Sequence, residues 1–397
     1  MVGLERSTLP LIGREDFGLS SSTAVLSFIV AFGLAKSFTN LGAGAFATRV
    51  GRRRLLIAGW AIALPVPLLI AVAPSWGWVV AANVLLGVNQ GLAWSMTVVM
   101  KIDLAGPKRR GLALGLNEAA GYGGVALAAA ASGWLASEFA ARDVLVAAGA
   151  LIALLALIVS VAFVRDTAAH VAVEQSAHAS GEPAVAPPMR EAFPEATWRA
   201  PALRSASQAG LVNNLNDALA WGLVPLFIAA NGAGPGAIGL VAGLYPAVWG
   251  VGQIWTGHWS DRVGRKPLIV AGMLLQSAAL AGLAASSGDV AVAALTAVLL
   301  GAGTALVYPT LIAAISDAVN PVARASMVGV YRFWRDMGYV VGALIAGLVA
   351  DAVGFGGAIA VVAGLTAVSG LWVMFDMPAR PTATRPAEPR KPLGTPA

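Results

Sequence analysis

The chain has 397 residues, of which 58% are hydrophobic and only 12% charged, about half the ~25% charge of a soluble domain. A soluble fold of this size cannot hide so much apolar surface, so soluble enzymes, disordered chains and fibrous proteins give way to an integral membrane protein. Cysteine is absent, which removes disulfides, thiolate metal sites and thiol nucleophiles, and the net charge of +6 raises a nucleic-acid partner that its distribution along the chain argues against.

The chain opens on a short apolar stub at 1–13. Long apolar runs follow at 20–46, 55–73, 78–100, 112–136 and 144–164. Each is close to the ~20 residues that cross ~30 Å of hydrocarbon as a helix. Residues 166–201 break the pattern, being rich in Pro, Ala, Glu and His, and read as a linker. Within it, 189–198 is expected to form a short amphipathic helix at the membrane surface. A second set of runs lies at 203–230, 237–258, 268–287, 290–316, 326–350 and 355–375, before a Pro-rich tail that reads as disordered. Leu, Ala, Val and Gly dominate without period-2 alternation, so helices fit better than barrel strands. The expected organisation is an N-terminal bundle at 1–165, a linker at 166–201, a C-terminal bundle at 202–376 and a tail at 377–397.

Twenty of the 26 basic residues fall on one side if the runs alternate across a bilayer. They cluster at 49–54, at 101–110, around the linker, at 262–266, at Arg324 and in the tail, whereas the opposite loops carry only Arg14 and Arg142. The excess of Lys and Arg on cytoplasmic loops assigns the basic side to the cytoplasm and the chain to the plasma membrane. The clusters are thereby explained as topology signals, and no nucleic-acid partner is expected.

The chain repeats itself. Gly51-Arg52-Arg53 matches Gly264-Arg265-Lys266 at an offset of 213, and Leu85-Leu86-Gly87 matches Leu299-Leu300-Gly301 at 214. Asp103, Pro107 and Arg110 match Asp317, Pro321 and Arg324, and Gly115, Gly124 and Gly133 match Gly329, Gly338 and Gly347, all at 214. Two homologous halves in parallel register, ideally of six helices each, follow from this. Transporters are commonly built so, with the substrate site between the halves near the midplane.

These landmarks carry a resemblance. Gly257-His258-Trp259-Ser260-Asp261-Arg262-Val263-Gly264-Arg265-Lys266 resembles the loop between the second and third helices of a half of the major facilitator superfamily, and 44–53 is its first-half copy. The stretches at 107–111 and 321–325 resemble the loops after that family's fourth and tenth helices. The likeness implies an all-α membrane fold of two six-helix bundles, with the first helix truncated here. It also implies a latch at the basic face. In that latch Asp261 binds a neighbouring helix while Arg262 and Arg265 reach Asp317. Thr48 stands where the first half should have an acid, leaving Asp103 with Arg49, Arg52 or Arg53. Two features of the family's proton antiporters are missing. Gly87 stands where they have an Arg ahead of Gln90-Gly91, and Gly121-Tyr122-Gly123-Gly124 lacks their Pro.

Ionisable residues inside apolar helices are costly and are functional candidates by default. Here they are Glu5 and Arg6 in the stub, Lys36, Glu118, Asp217, Arg332, Arg335 and Asp336. Helical spacing groups Lys36 with Asn40, and places Asn83, Gln90 and Trp94 along one side of the fourth helix. It also groups Asn213 with Asp217 and Trp221, Tyr245 with Trp249 and Gln253, and Arg332 with Arg335 and Asp336. Asp217 and Glu118 are the proton-coupling candidates. Arg332 and Lys36 are candidates for an anionic group, because a guanidinium grips a carboxylate or phosphate with two bonds. With them, Asn40, Asn83, Gln90, Trp94, Asn213, Trp221, Tyr245, Trp249, Gln253, Arg335 and Asp336 are candidates for the cavity wall, and the competing reading is that these groups simply glue helices together.

No Ser-His-Asp set, metal-ligand spacing or phosphate loop appears, so no enzyme, metal or cofactor is expected. The expected activity is secondary transport of a small organic solute by a monomer in the lipid bilayer, coupled to protons and directed outward. Uptake of an organic anion is the alternative, and a transporter-like receptor or scaffold is the reading from another class. The stub raises its own expectation. Thirteen helical residues rise only ~20 Å against the ~30 Å core, so Met1 is expected to be an internal methionine, with the native start a dozen or more residues upstream.

Overall fold

The computed structural model describes residues 1–167, 187–319 and 323–379, apart from the side chains at 44–49, 102, 106–114, 257 and 325. Among the described residues the regular structure is entirely helical. The first half comprises α1 (Val2–Glu15), α2 (Ser22–Val50), α3 (Arg52–Ala63), α4 (Pro65–Ala71), α5 (Trp76–Leu135) and α6 (Ala141–Ala162). A linker helix, α7 (Met189–Pro194), runs on through a π-turn at Glu195–Arg199. The second half comprises α8 (Pro201–Ala230), α9 (Pro235–Val263), α10 (Arg265–Ala285), α11 (Val290–Ala318) and α12 (Arg324–Asp376).

Most expected runs are found, with three differences of continuity. The run at 55–73 is split into α3 and α4 at Pro65, because proline has no N–H to donate and its ring crowds the preceding turn. The runs at 78–100 and 112–136 are joined in α5 through the basic stretch around Pro107. The runs at 326–350 and 355–375 are joined in α12, whose Gly354 has a φ of 82° that breaks the helical path and suits glycine. By length and composition, 8 helices among the described residues are long and apolar enough to span a membrane. Helix α8 is not counted among them: Asn213, Asn214, Asn216 and Asp217 dilute its hydropathy, and all four are buried.

The expected linker falls mainly on 168–186 and the expected disordered tail on 380–397, both outside the described residues. The surface helix expected at 189–198 corresponds to α7 and its π-turn, with Met189 and Trp198 exposed. Its inner side packs on the second half. Ala192 and Ala196 are buried, Phe193 meets Phe333 edge-on at 5.7 Å, and the Trp334 indole N–H donates to Thr197 at 3.0 Å.

The repeat is carried by the packing. Lipid offers no hydrophobic drive for helices to associate, so small residues that permit close approach do much of that work. A Cβ on Gly87 would lie 2.8 Å from Ala35 Cβ on α2, and one on Gly301 would lie 2.9 Å from Val248 Cβ on α9. Ala35 and Val248 are themselves repeat-mates at offset 213. Two seams then join the halves, α2 against α12 and α5 against α9. Gly347 on α12 abuts Thr23 on α2, while its mate Gly133 on α5 abuts Gly239 on α9. Both contacts lie toward the face opposite the basic loops. Toward the basic face, the mates Gly115 and Gly329 have nothing within 4 Å among the described residues, and Trp255 and Trp259 of α9 are exposed.

Gly338 and Gly342, one turn apart on α12, receive α8. A Cβ on Gly338 would overlap the Leu211 carbonyl and lie 2.8 Å from Asn214 Cβ. Its mate Gly124 has nothing within 4 Å among the described residues. Gly338→Val is therefore expected to destabilise the detergent-solubilised protein by about 1–3 kcal/mol. Gly124→Val should stay within about 0.5 kcal/mol of wild type. Thermal melts of the two variants provide the check, and equal losses would contradict this packing.

Candidate functional site

The buried charges converge between the halves in three linked clusters. The first joins α1, α8 and α12. Arg6 Nη2 donates to Asp217 Oδ1 at 2.7 Å, and the Tyr339 hydroxyl donates to Asp217 Oδ2 at 2.6 Å. The Arg6 guanidinium lies 5.4 Å from the Trp221 ring centroid and 5.9 Å from that of Tyr245, within range of cation–π attraction. Phe28 and Phe32 of α2 close over Trp221 edge-on at 5.6 and 5.0 Å. Arg6 and Asp217 are both almost fully buried. An ion pair sealed in this way is strongly destabilised if either partner is lost, since the other is left as an uncompensated charge.

The second cluster centres on Asp336 of α12. Lys36 of α2 lies 3.7 Å away, Arg335 donates to Asp336 Oδ1 through Nε at 2.9 Å and Nη2 at 2.6 Å, and Asn40 donates to Oδ2. Ser95 of α5 donates to Asn40 Oδ1 at 2.7 Å, and Arg335 Nη1 donates to the Tyr308 hydroxyl at 2.8 Å. Lys36 also lies 5.1 Å from the Tyr339 ring centroid, so Tyr339 touches both clusters.

The third cluster lies on the other seam. Glu118 Oε1 accepts from the Trp94 indole at 3.2 Å and from Asn117 at 3.3 Å, while the buried Oε2 has no hydrogen bond. Trp94 leans on Tyr122 at 5.5 Å, and Tyr122 lies over Trp249 at a centroid separation of 3.6 Å. Trp249 meets Tyr308 edge-on at 5.3 Å, which connects this cluster to Arg335. The seams are related by the repeat but differ in chemistry. Lys36 is the mate of Trp249 at offset 213 and Asp336 that of Tyr122 at 214, so an ion pair in one seam answers two packed rings in the other.

Of the candidates read from the sequence, Lys36, Asn40, Trp94, Glu118, Asp217, Trp221, Tyr245, Trp249, Arg335 and Asp336 come together in this network. Among the described residues Arg332 makes no ion pair, and its buried Nε has no hydrogen bond. Gln253 is buried on α9 with its Nε2 unpartnered. Three candidates serve packing within one half. Asn83 donates to the Val79 carbonyl of its own helix, and Gln90 donates to Asn89, which is bound to the Gly59 carbonyl of α3. Asn213 accepts from Gln276 of α10. Gln276 in turn accepts from Asn216, which accepts from Thr366. Helical spacing placed Asn213 beside Asp217, but an amide four residues away can turn into the bundle when a buried glutamine offers both a donor and an acceptor. Arg6 is the partner that sequence reasoning left off the site, although a guanidinium inside an apolar stub was the available signal.

At the basic face the latch residues pair within each half. Gly51 and Gly264 have φ values of 95° and 98°, and each makes a one-residue turn between two helices. That turn brings Arg52 to Asp103 at 2.7 Å and Arg265 to Asp317 at 2.9 Å, in mirrored fashion. Asp261 pairs with Arg265 at 2.6 Å rather than with a neighbouring helix, because the tight turn places both on the same corner. Arg262 takes no part in these ion pairs. Arg53 binds the carbonyls of Val161 and Val164 at the end of α6. The side chain of Arg49 lies outside the described residues.

Comparison with known proteins bears on the family and the fold. The family model described as Major Facilitator Superfamily matches twice, over residues 5–207 and 206–396. Multidrug resistance protein MdtH of Aeromonas hydrophila subsp. hydrophila is 31% identical over 168 residues, a match that spans 42% of this chain and 42% of that protein. The crystal structure of a D-xylose-proton symporter superposes with a TM-score of 0.71 at 16% identity, covering 95% of both chains, and at that identity the likeness is one of fold. The family match extends over both halves and nearly the whole length, so this chain, a multi-pass membrane carrier rather than an enzyme, belongs to the Major Facilitator Superfamily.

Proposed function

We propose that the chain is a secondary transporter that exports a small organic solute by alternating access, coupled to protons, with its basic face in the cytoplasm. The observation that carries this reading is the buried Arg6–Asp217 pair bridging the two halves. A carboxylate so placed links protonation to movement. A proton on Asp217 removes the negative partner, leaves Arg6 uncompensated, and so weakens the tie between α1 and α8. Glu118 supports a second role, since its Oε2 is buried without a partner and faces a seam lined by Trp94, Tyr122 and Trp249. These rings suit an aliphatic or aromatic body. The name of the MdtH relative supports the outward direction, and the positive-inside bias supports the orientation.

One observation favours a second reading, uptake of an organic anion. Arg332 is the repeat-mate of Glu118, its buried Nε has no hydrogen bond, and it makes no ion pair among the described residues, which suits its fork to a carboxylate or phosphate.

Three measurements test these readings. In proteoliposomes, with substrates first found by thermal shift, Asp217→Asn should abolish gradient-driven transport and retain substrate exchange at equal pH. Full gradient-driven activity would remove Asp217 from coupling. On stability, Arg6→Gln should cost about 3–5 kcal/mol by leaving Asp217 as a buried unpaired charge. The double variant Arg6→Gln with Asp217→Asn should recover most of the loss, and a purely additive double would show that the pair is not coupled. Finally, Arg332→Lys should weaken binding of an anionic substrate at least tenfold under the uptake reading, and leave binding unchanged under the export reading.

A further inference from the structure

We infer that Asp351 is a clasp that holds the two halves shut at the face opposite the basic loops, and that its release is what opens that face. This rests on the reading of the chain as an alternating-access transporter. Asp351 belongs to the second half, at the turn where α12 reverses before Gly354. Its carboxylate reaches the first half and caps the start of α2. Oδ1 accepts from the Ser22 backbone N–H at 2.5 Å, and Oδ2 accepts from the Thr23 backbone N–H at 3.0 Å and from the Ser21 hydroxyl at 2.6 Å. The first N–H groups of a helix have no partner within it, and the helix dipole makes them a favourable seat for negative charge. Here the charge comes from the other half of the molecule.

The seat is built rather than incidental. Ser21 is the N-cap of α2, and its Oγ accepts from the Ala24 N–H at 3.1 Å while its hydroxyl proton goes to Asp351. Arg14, at the end of α1, holds the connecting loop by donating to the carbonyls of Leu19 and Ser20 and to the Ser22 hydroxyl. Beside it, Gly347 lies against the backbone of Thr23, so the seam closes at small residues next to the carboxylate. At this face the repeat-related seam closes on small residues, where Gly133 abuts Gly239, with no cross-half hydrogen bond there among the described residues. The closed face is thus held by dispersion on one side and by a charge-assisted clasp on the other. Charge-assisted bonds to backbone N–H groups are about twice as strong as neutral ones, and all three of these cross between the halves.

Rocking one half against the other must pull Asp351 off α2 and expose the first N–H groups of that helix. The clasp therefore weights the equilibrium toward the conformation described here, in which the halves are joined at this face.

Distance measurement between spin labels tests this directly, and the cysteine-free chain makes labelling specific. Labels on Ser137→Cys and Ser287→Cys sit on exposed turns of the two halves at this face. Asp351→Ala should raise the long-distance population at least tenfold, the change that ~1.4 kcal/mol makes in an equilibrium. Ser21→Ala, which removes one donor of three, should raise it by less. An Asp351→Ala distribution identical to that of the parent, in protein that elutes and melts as wild type, overturns the clasp. If Asp351→Ala does not fold, Ser21→Ala and Asp351→Asn decide it by the same comparison. Transport by proteoliposomes is read separately. Shifted distances in a protein that carries no solute would leave the clasp standing and sink the transporter reading.

Discussion

A charge inside a membrane must have a partner, and the organisation of this molecule follows from where those partners lie. Burying an isolated ion in hydrocarbon is costly enough that ionisable residues in spanning helices pair or face a polar cavity. Asp217 finds Arg6 in the other half, and Asp336 finds Lys36 there as well as Arg335 in its own helix. Each cross-half pair acts as glue for the conformation described here, and under the proposed function the same pairs are what a proton or a competing ligand charge would break. Cohesion and switching thus depend on the same few atoms. The uncharged contacts, above all glycine against backbone, supply close approach without choosing a partner.

The two ends of the molecule are secured differently. At the basic face, the glycine turns and the Arg52–Asp103 and Arg265–Asp317 pairs close within each half. At the opposite face and the midplane, the polar contacts run between halves, from Asp351 on α2 through Arg6–Asp217 to Lys36–Asp336. Contacts inside a half stiffen it, and contacts between halves set which way it leans. The second kind are the ones that a rocking motion must exchange.

Much of this was legible in the residues. The repeat, the helical runs and the family likeness all rest on patterns that local physics enforces: apolar length for a span, glycine at a turn, bases on one side. Glu118, Lys36, Asp217, Arg335 and Asp336 stood out because a charge in an apolar run has no trivial explanation. What the sequence hid was pairing. Nothing in the local pattern says that Arg6 reaches Asp217 across 211 positions, nor that Asn213 turns to Gln276 while its neighbour one turn on faces the seam. Asp351 was invisible for the opposite reason. An acid between two apolar runs is unremarked in one dimension, and gains meaning only when the end of another helix is brought to it.

The one-residue turns at Gly51 and Gly264 have a bearing on ancestry. Each corner is complete in itself, with its glycine, its arginine and its acid all drawn from a single half. A unit with self-contained corners can be copied whole, because the duplicate inherits a finished joint and needs nothing from its twin to close it. Afterwards each copy is free to drift. Thr48 in one half and Asp261 in the other record such divergence, at a corner that the Arg52–Asp103 pair still closes in the first half.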